Sequence, residues 1–293
     1  MTLPHNVFTP PQGPQRIVCL TEETTEWLYL LGQEHRIVGI SGYTVRPSRA
    51  RQEKPRVSAF TSAKVDKILA LQPDCVLGFS DMQADIASAL IRAGVPVSIF
   101  NQRSVAEIFD MLFQVAAMVG QGAEGLALIQ KMQHDLQVIQ GLAANLSYRP
   151  KIYFEEWDVP QISAIQWVSE LIGIAGGDDI FPELAAQSLG KQRILTDGDE
   201  VVRRNPDIII GSWCGKKFRP EAVAARPGWG EVAAVATGQL FEIKSCDILQ
   251  PGPAALTDGV VQLQRIITDW SVQFGDAATA AHSVSGPAVG VRP

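Results

Sequence analysis

"VDKILALQPDCVLG" (residues 65–78) combines a helix, a stop and a strand in one short run. The pattern predicts that Pro73 ends the helix, Asp74 turns the chain, and the apolar run from Cys75 enters a sheet. The same order returns in "GDEVVRRNPDIIIG" (198–211), with a second Pro-Asp turn and a second apolar strand closing on glycine. One supersecondary unit used once in each half predicts two similar lobes rather than one continuous sheet.

Outward from these units, short β-rich runs alternate with helical patterns, which argues for α/β layers with parallel-rich sheets. "RIVCL" (16–20), "RIVGIS" (36–41), "DCVLGF" (74–79) and "VPVSIF" (95–100) read as strands of the first lobe. "KIYFEE" (151–156), "DIIIGSW" (207–213) and "QLFEIK" (239–244) read as strands of the second. Between them, a helical pattern from Ala123 to Leu146 would be about 35 Å long, a length suited to a spacer. The resulting layout is an N-terminal extension (1–14), a first lobe (15–119), a connecting helix (120–148), a second lobe (149–274) and a tail (275–293). The tail is small, polar and unpatterned, so disorder is expected there.

Of the 293 residues, 46% are apolar and 19% charged, enough to bury a core in each lobe. A net charge of −6 without a Lys/Arg cluster lacks the electrostatic footprint of a nucleic-acid binder. No apolar run is long enough to span a membrane. Cys19, Cys75, Cys214 and Cys246 have no CxxC spacing, and the four histidines are scattered, so neither a disulfide framework nor a protein-held metal is expected. "GSWCGKK" (211–217) lacks the spacing and the hydroxyl of a phosphate loop, and no strand is followed by GxGxxG.

"YFEEWDVPQ" (153–161) leaves three readings open: an acid/base pair, the wall of a ligand site, or a solvated strand end. Alternation sends Glu155 and Glu156 to opposite faces of a strand, which weakens the first. Loops at the C-terminal ends of the strands, where open α/β sheets hold their ligands, carry Tyr43, Trp157, Trp213 and Phe218 with Gln83, Gln102 and Gln250. Flat side chains with a few amides suit an extended, partly apolar ligand. Trp27, Trp229 and Trp270 are assigned to the core, and Cys214 beside Lys216 and Lys217 is the most reactive-looking thiol.

"RIVCLTEETTEWLYLLGQEHRIVGIS", "PRVSAFTSAKVDKILALQPDCVL", "WVSELIGIAGGDDIF" and "RPGWGEVAAVATGQLFEI", in that order, resemble the helical-backbone substrate-binding proteins of ABC importers. Within these, the resemblance is to the cobalamin-binding proteins. It implies two α/β lobes joined by one long helix, a ligand cleft between the lobes, and no cofactor of the protein's own. "AFT" (59–61) matches a ligand-site loop of the family, with Ala59 where glycine is usual. The ligand implied is cobalamin or a related corrinoid: Tyr43, Phe60, Trp157 and Trp213 would pack on it, beside Phe218. Gln83, Gln102, Glu156 and Gln250 would orient its amides, Lys216 or Arg219 would meet its phosphate, and Cys214 would lie near its metal. The resemblance also places permease docking at Asp66 and Asp199, both aspartate where the family usually carries glutamate.

Another metal chelate (a ferric siderophore or haem) and a corrinoid-processing enzyme using Glu155/Glu156 with Asp158 remain the alternatives. A monomer is expected. A native start at Met1 would put the protein in the cytoplasm, and a removed leader would put it in the periplasm.

Overall fold

The computed structural model describes residues 13–284, which fall into two compact α/β units. The first comprises the chain up to Gln102 together with Ala106–Lys131; the second comprises Arg103–Val105 and everything from Met132 onward.

The first unit's sheet contains β1 (Ile17–Cys19), β2 (Ile37–Ser41), β3 (Arg56–Ser58), β4 (Cys75–Phe79) and β5 (Val97–Phe100), in the order β3-β2-β1-β4-β5. Every pairing is parallel. The central strands β1 and β4 are buried along their whole length, as continuous apolar runs covered on both faces must be. Val18, Leu20, Ile68, Val76 and Leu90 form the core. Trp27 lies fully buried on the helix Glu22–Leu30, and its indole N–H donates to the Leu112 carbonyl at 2.8 Å.

The second unit's sheet is built from β6 (Lys151–Asp158), β7 (Gln161–Ser163), β8 (Asp178–Asp179), β9 (Ile208–Gly211) and β10 (Leu240–Glu242). Its order is β10-β9-β6-β7, with β8 on the opening residues of β6, and only β7 is antiparallel. An aromatic core fills this unit. Tyr153 meets the rings of Phe181 and Trp229 edge-on at 5.8 and 5.9 Å.

The two Pro-Asp turns fold alike. The helix Val65–Ala70 ends two residues before a left-handed one, Gln72 at φ 47°, and the helix Asp199–Arg204 ends directly before another, Asn205 at φ 46°. Proline follows each, and the aspartate after it reaches across to the neighbouring central strand. The Asp74 carboxylate accepts the N–H groups of Gln15 and Arg16 at 2.7 and 2.8 Å, just before β1. The Asp207 carboxylate accepts the N–H of Lys151 at 2.8 Å, at the start of β6.

The helix Gly122–Ala143, about 33 Å long, carries the chain from the first unit into the second, with the division after Lys131. It is shorter at both ends than the expected connecting segment 120–148. β3, β7 and β8 are additional to the expected strands. The expected disordered tail is corrected over 275–284, where the helix Val260–Val284 continues. Within it Thr279 donates its hydroxyl to the Ser147 carbonyl at 3.4 Å, tying this stretch of helix to the chain before β6. The rest of the tail, and residues 1–12 of the N-terminal extension, lie outside the described residues.

Candidate functional site

In the first unit the strand order reverses between β1 and β4, and the C-terminal ends of these strands form the switch point at which open α/β sheets hold ligands. The helix Glu22–Leu30 starts there, with Glu22 and Glu23 in its first turn, both buried. Acids are favoured at a helix N-terminus. Thr21 donates its hydroxyl to Glu23 at 2.6 Å, and Ser41 donates to Glu22 at 2.7 Å. Burial pushes the Glu23 carboxyl up to about 8, with the charge of Glu22 adding to the shift; burial also raises Glu22.

Around this point Tyr43 is the open surface, 59% exposed in the turn after β2. Phe60 is half-buried, its ring 6.4 Å from that of Phe79. Gln83 is corrected from ligand amide to internal strut. It is fully buried, its carbonyl oxygen accepts the Phe79 N–H at 3.0 Å, and its amide donates to the Phe60 carbonyl at 2.9 Å. Gln102 is likewise withdrawn from the surface, at 3% exposure.

In the second unit β6 runs on through Asp158 and shifts register against β7 between Glu155 and Trp157. Glu155 is fully buried and held by a two-pronged Arg226 pair at 2.6 and 2.9 Å, the Trp213 indole N–H at 3.0 Å and the Tyr153 hydroxyl at 3.0 Å. Glu156 accepts from the buried Arg193 at 2.6 Å, and Arg193 also donates to the Ser163 carbonyl at 2.5 Å. Asp158 pairs with Lys216. Burial opposes its ionisation, but the Lys216 ammonium outweighs that and holds the carboxyl below its ordinary value. Each carboxylate of "YFEEWDVPQ" (153–161) therefore holds its own cation. They do not converge as an acid/base pair, and Glu156 is committed to Arg193 before any ligand amide.

Trp213 and Phe218 are also corrected, from stacking surfaces to core. Their rings meet edge-on at 5.0 Å and are 5% and 2% exposed. Phe218 fits because β9 ends in glycine: a Cβ on Gly211 would lie 1.9 Å from its ring. Trp157 stays half-exposed, but the Lys216 ammonium sits 4.3 Å from its ring centroid and 5.0 Å from that of Trp213. Lys216 thus covers one face of the indole. Cys214 and Arg219 are exposed on the same loop, and Gln250 is half-buried after the short helix Ser245–Ile248. Asp66 and Asp199 are exposed in the first turns of their helices. Arg193 and Arg226 went unforeseen. The only signal for them was acids within an apolar strand, which require buried partners.

The family described as periplasmic binding protein matches residues 17–246. An ABC transporter substrate-binding lipoprotein of Bacillus subtilis, YvrC, itself uncharacterised, is 27% identical over 266 residues, 87% of this chain and 80% of that one. A cobalamin-binding protein of Halobacterium salinarum is 22% identical over 255 residues, 85% and 68% of the two chains. Among solved structures, the vitamin B12-binding protein BtuF of Vibrio cholerae superposes with a TM-score of 0.71 at 21% identity, over 89% of this chain and 99% of that one. The heme-binding protein RhuT of Roseiflexus reaches 0.74 at 21%, over 87% and 100%.

Two outcomes follow from the buried charges. Glu23 binds its proton more tightly folded than unfolded, so stability falls as pH rises from the ordinary carboxyl range through about 8. Glu23→Gln should therefore gain on the parent protein between pH 5 and pH 8 and keep no such advantage below pH 5, read from melting temperatures across pH. Arg226→Ala strands a fully buried carboxylate and should cost about 3–5 kcal/mol in urea unfolding. Glu155→Gln combined with Arg226→Met should recover most of that loss.

Proposed function

The chain belongs to the periplasmic binding protein family, and on that premise we propose that it captures cobalamin or a related corrinoid for an ABC importer, without chemically converting it. The observation that carries this reading is the pairing of open aromatic faces with acids at the first unit's switch point. Tyr43 and Phe60 offer flat surface there, while the carboxyls of Glu22 and Glu23 are buried beneath it and held by the hydroxyls of Ser41 and Thr21 rather than by cations. Such a switch point offers haem propionates and siderophore anions no counter-charge from these residues, whereas a corrinoid, whose periphery is amidated, needs none. The relatives named as cobalamin- or vitamin B12-binding support the same ligand class.

In the second unit Trp157 supplies a further aromatic face, and Lys216 suits a phosphodiester that would replace Asp158 as its counter-ion. Arg219, Cys214 and Gln250, on neighbouring loops, complete the proposed contacts. Haem is the second reading, favoured by the exposed Tyr43 phenol, which can serve as an axial ligand. Among the described residues, His35 lies before β2 and His134 within the long helix, both away from strand C-terminal ends.

Visible-spectrum and calorimetric titrations with cobalamin, cobinamide, haemin and ferric chelates test the proposal. Saturable corrinoid binding is expected, weakened about tenfold or more by Trp157→Ala and unaffected by Tyr43→Phe. Lys216→Met should weaken cobalamin while sparing cobinamide, which lacks the phosphate. Binding of haemin alone, lost in Tyr43→Phe, would overturn it in favour of the second reading.

We further propose that Asp66 and Asp199 dock the protein on its permease, outside the cytoplasmic membrane. Asp66→Lys with Asp199→Lys should leave corrinoid titrations unchanged and abolish importer-dependent uptake, in cells whose fractionation releases the chain with extracytoplasmic markers. Uptake at the parental rate, or recovery with cytosolic markers, would count against docking.

A further inference from the structure

Two of the first unit's cavities have charges arranged in opposite ways. The larger, about 520 Å³, is lined by Arg46 and Arg49, but both are neutralised. Arg46 bonds Glu26 at 2.9 Å, and Arg49 bonds Glu34 at 2.9 Å and Glu53 at 3.2 Å. The smaller, about 380 Å³, lies at the C-terminal end of edge strand β3 and is lined by Arg56, Lys64 and Lys67 with Ser58 and Ser62. Among the described residues none of these three cations makes an ion pair or a side-chain hydrogen bond. In a chain of net charge −6 that convergence is uncompensated. The Ser58 hydroxyl oxygen is itself buried without a partner.

The wall of this cavity is preformed. Ala59 donates its N–H to the Ser62 carbonyl at 2.7 Å, Gly42 donates to the Ser58 carbonyl at 2.7 Å, and Lys64 donates to the Val57 carbonyl at 3.2 Å. Ser58 also bridges Ala63. Strand β3, the pinned loop after it and the helix Val65–Ala70 together present three cations and two hydroxyls to one cavity, up to five donor groups, with no acid among its lining residues. That donor set matches a tetrahedral oxyanion, whose several oxygens accept from cations and hydroxyls at once. It mismatches an isolated carboxylate, which a single arginine satisfies.

We propose that this cavity is a binding site for a phosphoryl group, Lys64, Lys67 and Arg56 supplying charge and Ser58 and Ser62 supplying hydroxyl donors. The site lies two strands from the switch point and does not rest on the corrinoid reading. The phosphoryl group can belong to a soluble monoester or to an anionic lipid headgroup, since the recognising chemistry is shared.

The full chain is titrated calorimetrically with inorganic phosphate, glycerol 3-phosphate and chloride at constant ionic strength. It is also sedimented with phosphatidylglycerol or phosphatidylcholine vesicles. Saturable binding in either arm, absent with chloride and phosphatidylcholine, is expected to weaken about tenfold or more in Lys64→Gln/Lys67→Gln. Both lysines are exposed, so that variant should melt with the parent protein, and Arg56→Gln gives an independent second lesion. Binding confined to phosphatidylglycerol assigns the group to a lipid, and binding of the soluble phosphates assigns it to a small molecule. No saturable binding in either arm, or binding that both variants leave intact, would overturn the proposal.

Discussion

The aspartate that follows each helix-stopping proline holds its sheet in register. Asp74 and Asp207 lead into the central strands β4 and β9, yet their carboxylates bond the backbone N–H groups that begin the adjacent parallel strands, β1 and β6. Parallel neighbours cannot be joined by a tight hairpin, so something other than the connection must align their starts. A carboxylate accepting main-chain donors does this with a charge-assisted bond at the edge where each central pair begins. The left-handed residue before each proline supplies the necessary reversal. In the second unit that residue, Asn205, contributes again by accepting the Ala233 N–H at 2.8 Å.

Once the strand starts are aligned, the strand ends are aligned too, and the two units finish those ends differently. The first places hydroxyl-bonded acids beside open aromatic surface. The second turns its acids inward onto arginines and leaves an indole partly covered by Lys216. Both use a glycine near the end of the second central strand to admit a side chain from the following loop. Over Gly78 it is the polar Gln83, and over Gly211 the aromatic Phe218. One backbone notch is thus filled by an amide in one unit and by a ring in the other, and this divides side chains left exposed at the strand ends from side chains that fill the interior.

That division is also where sequence reading stopped. The repeated Pro-Asp unit, the apolar central strands and the long helix were legible because each follows from local periodicity and a few punctuating residues. β3, β7 and β8 are two or three residues long with no alternation to detect. Trp213, Phe218 and Gln83 looked like ligand contacts because loops at strand ends often supply them. The space that buries them is created by glycines, and nothing local to an aromatic reveals a notch opposite it. The partners of Glu155 and Glu156 lie 71 and 37 residues away in sequence. Long-range pairing of that kind is a property of the folded chain. Asp66 and Asp199, found through the repeat, are exposed in the first turns of the two helices.

The path of the chain between its units has a further consequence. Residues 103–105 belong with the second unit, 106–131 return to the first, and the division then falls inside a continuous helix. No single cut therefore separates the protein into two contiguous halves. A break after the first sheet strands the helix Val105–Met118, whose Leu112 carbonyl holds Trp27, while a break within the long helix removes part of a hydrogen-bonded cylinder from each side. The repeated unit in the sequence accordingly does not mark a point at which one cut would yield the two units.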